Sequence, residues 1–206
     1  MMRPLCRAGL DPIVYGSVAR GDVNPNSDID IFVSEVSSSF LLERTIEDCG
    51  GFKPFQRVLV QATPSYALKG YIYVGERRSF SFPLTALHVH ERQFYSFGGE
   101  LSVDECEKEQ RVPGVNKSLK LIEPVEHGHV ESLVEGREEE VAALLKIDVR
   151  TVRGRVRALS RRREIGRTGV FLKRELSLDE TFELVLKRLM DSVPAVRRKI
   201  RGSKGA

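Results

Sequence analysis

No apolar run in the 206-residue sequence reaches the roughly 18 to 20 residues that a membrane-spanning helix needs, so no membrane partner is expected. Met1 to Leu10 lacks the apolar core and small-residue cleavage site of a secretion signal. Cysteine is scarce. Cys6, Cys49 and Cys106 are odd in number and far apart, which argues against a disulfide framework and for reduced thiols. A cytoplasmic location is the expectation. There is no internal repeat, and no low-complexity segment apart from a polar tail after Arg197. With 41% hydrophobic and 30% charged residues the composition is that of an ordinary globular chain. The length allows one large domain or two small ones.

Charge is unevenly spread. Residues 1–130 hold 14 Lys+Arg against 17 Asp+Glu, whereas residues 131–206 hold 19 against 12. A basic C-terminal third on a mildly acidic body points to a polyanion partner; the plain alternative is a solvated, salt-bridged surface.

The first half alternates strand-like and helix-like stretches. Pro12–Tyr15 and Ile29–Val33 are β-rich, and the segment between them carries the turn formers Gly21, Asn24, Pro25 and Asn26. Ser37–Cys49 has Phe40, Leu41, Ile46 and Cys49 near helical spacing, with Gly50-Gly51 as its stop. Arg57–Ala62, Gly70–Val74 and Ser79–Leu84 read as strands, the last two joined by a hairpin turn at residues 75–77. Asp104–Gln110 reads as a helix, residues 111–117 as a loop and Leu119–Ile122 as a short strand. Strand, strand, helix and further strands indicate an α+β fold, a mixed sheet with flanking helices.

Two carboxylates sit on the second strand. Asp28 and Asp30 are two residues apart, so they project to one side, while Ile29 and Ile31 face the core. Carboxylates this close repel unless a cation lies between them. Mg²⁺ resolves the conflict, since it is held by one or two carboxylates together with phosphate oxygens and water. Gly16-Ser17 supplies a grip on triphosphate: glycine permits close backbone approach, and the hydroxyl and following amides donate to phosphate. Arg20 is close enough in sequence to help neutralise charge.

Gly16-Ser17, ten intervening residues and then Asp28-Ile-Asp-Ile31 resembles the signature of the DNA polymerase β nucleotidyltransferase superfamily. Gly16-Ser-Val-Ala-Arg-Gly21 with Ser27-Asp28 resembles its minimal nucleotidyltransferases in particular. The resemblance is tight over residues 12–33 and looser over 1–100. It implies Mg²⁺ or Mn²⁺ on Asp28 and Asp30, an NTP such as ATP as substrate, and transfer of a nucleoside monophosphate. Two departures stand out. Only about eleven residues precede the Gly-Ser strand, where the family has a helix. The third carboxylate of the family's later strand is missing from 57–62 and 70–74; Glu76 is the first candidate for it and Glu91 the second.

Arg111, Asn116 and Lys117 cluster in a Pro-Gly loop, with Lys117 a candidate nucleotide contact beside the reading of a solvated loop. His88 with His90, and His127 with His129, are pairs that on strands would each face one way, as a Zn²⁺ site needs; ordinary hydrogen-bonded histidines are the simpler reading. Cys106 reads as buried.

A domain boundary is expected near 125–135, giving a nucleotidyltransferase-like domain over 1–128 and a basic domain over 129–206. In the latter, Glu138–Ile147, Thr151–Arg162 and Asp179–Ser192 have helical period, with Val141, Leu144, Leu145, Val152, Val156, Leu159, Phe182 and Val185 inward. Residues 141–159 resemble a helix-turn-helix, and residues 164–176, with Gly166 and Gly169, would form the wing of a winged helix. Arg150, Arg153, Arg157, Arg161 and Arg167, with Arg155, Arg162 and Arg163 among them, suit DNA or RNA contacts. Three functions follow: an Mg-dependent nucleotidyltransferase acting on an unknown acceptor; a winged-helix nucleic-acid-binding regulator whose first domain senses nucleotide or is inactive; and a toxin–antitoxin type component acting through a protein partner.

Overall fold

The computed structural model describes residues 1–48, 52–166 and 168–203. In the first half the elements are α1 (Arg3–Arg7), β1 (Pro12–Tyr15), α2 (Ser17–Arg20), β2 (Ile29–Val33), α3 (Ser39–Asp48), β3 (Gln56–Gln61) and β4 (Leu68–Gly75). Then come β5 (Arg78–Pro83), α4 (Val89–Gly98), β6 (Glu100–Leu101), α5 (Val103–Glu107), β7 (Gly114–Val115) and β8 (Lys120–Val125). The last are β9 (Gly128–Leu133), α6 (Glu138–Leu145), α7 (Val149–Ile165), β10 (Leu172–Glu175), α8 (Phe182–Ser192) and α9 (Pro194–Ser203). The α+β class therefore holds.

These elements gather into two units that interleave along the chain. One takes Met1–Pro12, Asp30–His88 and Gly169–Ala206; the other takes Ile13–Ile29 and Val89–Thr168. The grouping does not follow a cut between residues 128 and 129, since β10, α8 and α9 join the unit that contains β3 to β5.

In the first unit the strand order is β10-β3-β4-β5-β2. Strand alternation makes this sheet two-faced. Ile31 and Val33 of β2, Leu59 of β3, Leu68 and Ile72 of β4, and Phe80 and Phe82 of β5 enter one core. Leu42 and Ile46 of α3 and Phe182 and Val185 of α8 pack into the same core. Phe82 meets Phe182 edge-on at 5.0 Å, and Gly70 passes beneath both rings, where a Cβ would lie 2.5 Å from Phe82 and 3.0 Å from Phe182. Polar links fasten the helices: Ser39 donates from N and Oγ to Glu183 at 2.8 and 2.7 Å, and Arg57 pairs with Glu43 at 3.0 Å.

The second unit has its own core of Phe97, Val115, Leu119, Leu121, Val134, Val141, Val152 and Leu159. There β1 pairs with β6, and β7, β8 and β9 form a three-stranded antiparallel sheet. A Ser102–Glu105 capping box opens α5.

Several expectations change. The wing is not formed: α7 continues to Ile165, and β10 pairs antiparallel with β3, Leu172 opposite Gln61 through Glu175 opposite Val58. Leu172 and Leu176 gain the first unit's core by this pairing, and Glu180 anchors the segment by accepting from Arg174, Arg188 and Ser177. Residues 89–98, to which the sequence assigns no element, are helix α4, and helix α9 runs from Pro194 to Ser203, into the stretch after Arg197 expected to be a polar tail. A short helix, α1, does precede the Gly-Ser strand. Leu144 is 43% exposed while Ala142 is buried, because the buried side of α6 is centred between Val141 and Ala142 and Leu144 lies about 110° round the helix from it. The Gly50-Gly51 stop lies outside the described residues.

Because Gly70 has no room for a side chain, Gly70→Ala should cost about 1–3 kcal/mol by overpacking. Phe182→Ala should cost about 3–5 kcal/mol. Both are read as a lower urea midpoint, and two unchanged midpoints would refute this packing.

Candidate active site

Tyr15 ends β1, and Gly16 follows with φ +84° and ψ −143°, which L side chains rarely adopt. Its N–H donates to the Gly99 carbonyl at 2.9 Å. Nothing lies within 4 Å of a Cβ built there, so the glycine serves the turn's dihedrals and not packing. Ser17, half-buried, opens the single turn of α2, which Gly21 closes in the left-handed conformation.

Arg20 is buried. It donates to the Gly98 carbonyl at 2.6 Å and pairs with Asp22 at 3.0 Å. Gly99, at φ +80°, lies so close that a Cβ would sit 2.9 Å from Arg20 Cγ. The guanidinium expected at a phosphate is thus committed to binding α2 to the segment after α4.

Asp28 is exposed just ahead of β2 and belongs to the second unit; Asp30 is half-buried within β2 and belongs to the first. Ser79 of β5 donates to Asp30 Oδ1 at 2.6 Å, and Ser81 donates to the Ile31 carbonyl at 3.4 Å. The β4–β5 register sets Tyr73 opposite Ser79 and Tyr71 opposite Ser81, with the two phenol rings stacked at 6.4 Å. Burial pushes the Tyr71 phenol up to about 12, with Tyr73 and the Asp30 charge adding to it. Tyr73 is raised for the same reasons, burial first and Asp30 second. One face of the first unit's sheet thus holds a carboxylate, its hydroxyl donor and two phenols that resist ionisation.

The two candidates for a third carboxylate are Glu76 and Glu91. Glu76 is exposed in the two-residue turn between β4 and β5, and Glu91 is buried in the first turn of α4. The β5 side chain that reaches Asp30 is a serine. Among the described residues no three His, Cys, Asp or Glu side chains group as a metal-binding set.

Lys117 is exposed in the turn before β8. Its neighbours are structural: Arg111 donates to the Gly128 and Val125 carbonyls at 2.8 and 2.5 Å, closing the β8–β9 turn, and Asn116 Oδ1 accepts from the Ser118 and Lys120 amides. The histidines have separate partners. His88 meets Lys199 at 3.0 Å, His90 meets Thr151 at 2.7 Å, His127 lies 3.8 Å from Glu126, and His129 lies 3.4 Å from Glu131. His90 is on a helix, so the strand geometry expected of the first pair does not arise. Cys106 is half-buried, its thiol raised by burial and Glu105. Arg150, Arg153, Arg157 and Arg161 lie on α7 and are exposed; Arg167 lies outside the described residues.

Residues 7–86 match the family model described as nucleotidyltransferase domain. The matched stretch contains Gly16, Ser17, Arg20, Asp28, Asp30, Glu76 and the Ser79–Tyr73 pair, and residues 87–206 lie outside it. No curated protein matches the chain, and no solved structure does.

Ser79, Tyr71 and Tyr73 escaped the sequence reading. A signal for them exists: apolar Leu68, Ile72, Phe80 and Phe82 alternate with Lys69, Tyr71, Tyr73, Ser79 and Ser81, so the second set shares the face opposite the core. Pairing β5 with β2, which brings that face to Asp30, needs the topology.

A tyrosine whose pKa is higher folded than unfolded adds stability that is complete below about pH 10 and fades as pH rises toward 12. Chemical denaturation across this range should show wild type losing stability between pH 10 and 12, and Tyr71→Phe losing less. Equal losses in both would remove Tyr71 from this account.

Proposed function

We propose that the chain is an Mg²⁺- or Mn²⁺-dependent nucleotidyltransferase, moving a nucleoside monophosphate from an NTP, with ATP a candidate, to an acceptor and releasing pyrophosphate. The observation that carries the reading is the nucleotidyltransferase-domain match over residues 7–86, which encloses the Gly-Ser turn and both aspartates.

The donor set suits such an ion. Both aspartates offer hard oxygen ligands, as Mg²⁺ prefers, with phosphate and water to complete the shell. Asp28 is exposed and makes no ion pair among the described residues. Ser79 donates to Asp30 at 2.6 Å, which orients that carboxylate without cancelling its charge. When bound, the metal supplies Lewis-acid stabilisation of charge on the phosphoryl group. Gly16 and Ser17 receive the triphosphate, the glycine by leaving the backbone open and the serine by donating its hydroxyl. Arg20 supports this turn from beneath. Lys117 is free to meet a phosphate from its exposed turn.

A second reading rests on Ser79. A hydroxyl beside Asp30, where a third carboxylate would otherwise sit, fits a domain that binds NTP without transferring it, as a nucleotide-sensing regulator would. In that case NTP binds but no pyrophosphate forms.

Purified protein with Mg²⁺ and each NTP should release pyrophosphate. Asp28→Asn and Asp30→Asn should each lower that release at least about a hundredfold, equivalent to several kcal/mol of lost charge stabilisation. Far-UV circular dichroism checks that both variants fold. Undiminished release by the folded double variant would overturn the assignment; metal-dependent NTP binding without release would establish the second reading.

A further inference from the structure

The second unit presents a cationic surface that nucleotidyl transfer does not use. Helix α7 carries seven arginines and one glutamate in 17 residues. At 3.6 residues per turn, Arg150, Arg153, Arg157 and Arg161 fall within an arc of about 80°, on the side away from buried Val152 and Leu159. Along the axis they span about 16 Å.

Their electrostatic states differ along the helix. Arg150 pairs with Asp148, the N-cap, at 2.6 Å, and Arg153 pairs with Glu139. Arg163 reaches the Ser118 carbonyl and lies 3.6 Å from Glu135, while Arg155 lies over Phe94 at 4.8 Å. Arg157, Arg161 and Arg162 are exposed and have no ion pair among the described residues. Glu164 is the one carboxylate of α7 itself. The contrast with α3 is plain, since its arginine, Arg44, is matched by Glu47 and Asp48.

Two further observations bear on what this face meets. Gly154 sits at mid-helix beside Arg157 with nothing within 4 Å of a built Cβ. Glycine is a poor helix former and packing does not require it here, so its effect is to leave the helix surface flat beside the arginine arc, next to Arg161. The helix is also held rigidly: Thr151 is buried and donates to Gln93 at 2.6 Å, and α6 leads into α7 through a turn of only residues 146–148.

We propose that α7 binds duplex DNA, with the Gly154–Ala158 strip turned to the groove, Arg157 and Arg161 on phosphates along one side of it and Arg162, about 100° further round the helix from Arg161, on phosphates along the other. A helix of roughly 10–12 Å diameter fits the major groove of B-DNA, about 12 Å wide. The deep, narrow major groove of A-form RNA excludes it. Arg150 and Arg153, tied to carboxylates, contribute less than the sequence pattern alone suggests. This activity is independent of the nucleotidyltransferase reading and is measured without NTP.

The test is fluorescence anisotropy of the full chain with a short mixed-sequence DNA duplex over a range of salt. Each neutralised phosphate contributes about −0.9 to the slope of log affinity against log salt, so three contacts give about −3. Arg157→Gln with Arg161→Gln should reduce the slope to about −1. Arg44→Gln with Lys53→Gln, the same charge change on the first unit, should leave it unchanged. Gly154→Leu, which changes no charge, should weaken binding at an unaltered slope, and an RNA duplex of the same sequence should bind more weakly. The proposal is overturned by a double variant with the wild-type slope, by equal loss in the control pair, by Gly154→Leu binding as wild type, or by equal affinity for the RNA duplex.

Discussion

The hydrogen bond from Ser79 to Asp30 is the contact on which the candidate site rests. β2 carries Ile31 and Val33 into a closed apolar core while Asp30 stays on the opposite face. Strand alternation alone produces that arrangement, and a slip of one residue would bury the carboxylate and expose the isoleucine. The hydroxyl of β5 then fixes the rotamer of a charged group that burial among phenols would otherwise destabilise. Core and site are thus two faces of one sheet, and the register that fills the first orients the second.

The same economy appears around Gly16. The turn that begins α2 is held by its N–H to Gly99 and by Arg20 to Gly98 and Asp22. The arginine expected near substrate is engaged by Gly98 and Asp22. Its burial is tolerable because a carboxylate and a carbonyl meet it at hydrogen-bonding distance; removing either would leave a buried charge unmatched. The Gly-Ser turn is thus tied to residues about 80 positions further along, and glycines at 16 and 99 both take positive φ.

Much of this was legible in the residues. The spacing from Gly16-Ser17 to Asp28 and Asp30 and the strands around them were readable because period-2 alternation and turn chemistry are local. So were α7 and α8, whose inward Val152, Leu159, Phe182 and Val185 follow a 3.6-residue period, whereas α3 was legible as a helix but buries Leu42 with Ile46 and leaves Phe40 and Leu41 exposed. What failed was non-local. Leu172–Glu175 has a short extended pattern that suits a wing as well as an edge strand, and only its pairing with β3 decides. Val89–Gly98 hid because its buried face includes Glu91, a charge where a helix pattern expects an apolar residue. Glu76 drew attention as a nearby acid, and it is exposed in the turn between β4 and β5. The ion pairs that mute Arg150 and Arg153 were likewise invisible before Asp148 and Glu139 were placed.

The proposal that Asp28 and Asp30 hold a divalent ion for an NTP is tested most directly by anomalous scattering from Mn²⁺ in crystals grown with a non-hydrolysable NTP. The account predicts a manganese peak within bonding distance of both carboxylates and of a phosphate oxygen, with the triphosphate on the Gly16-Ser17 turn. A peak on other ligands, or a triphosphate bound away from that turn, would contradict it.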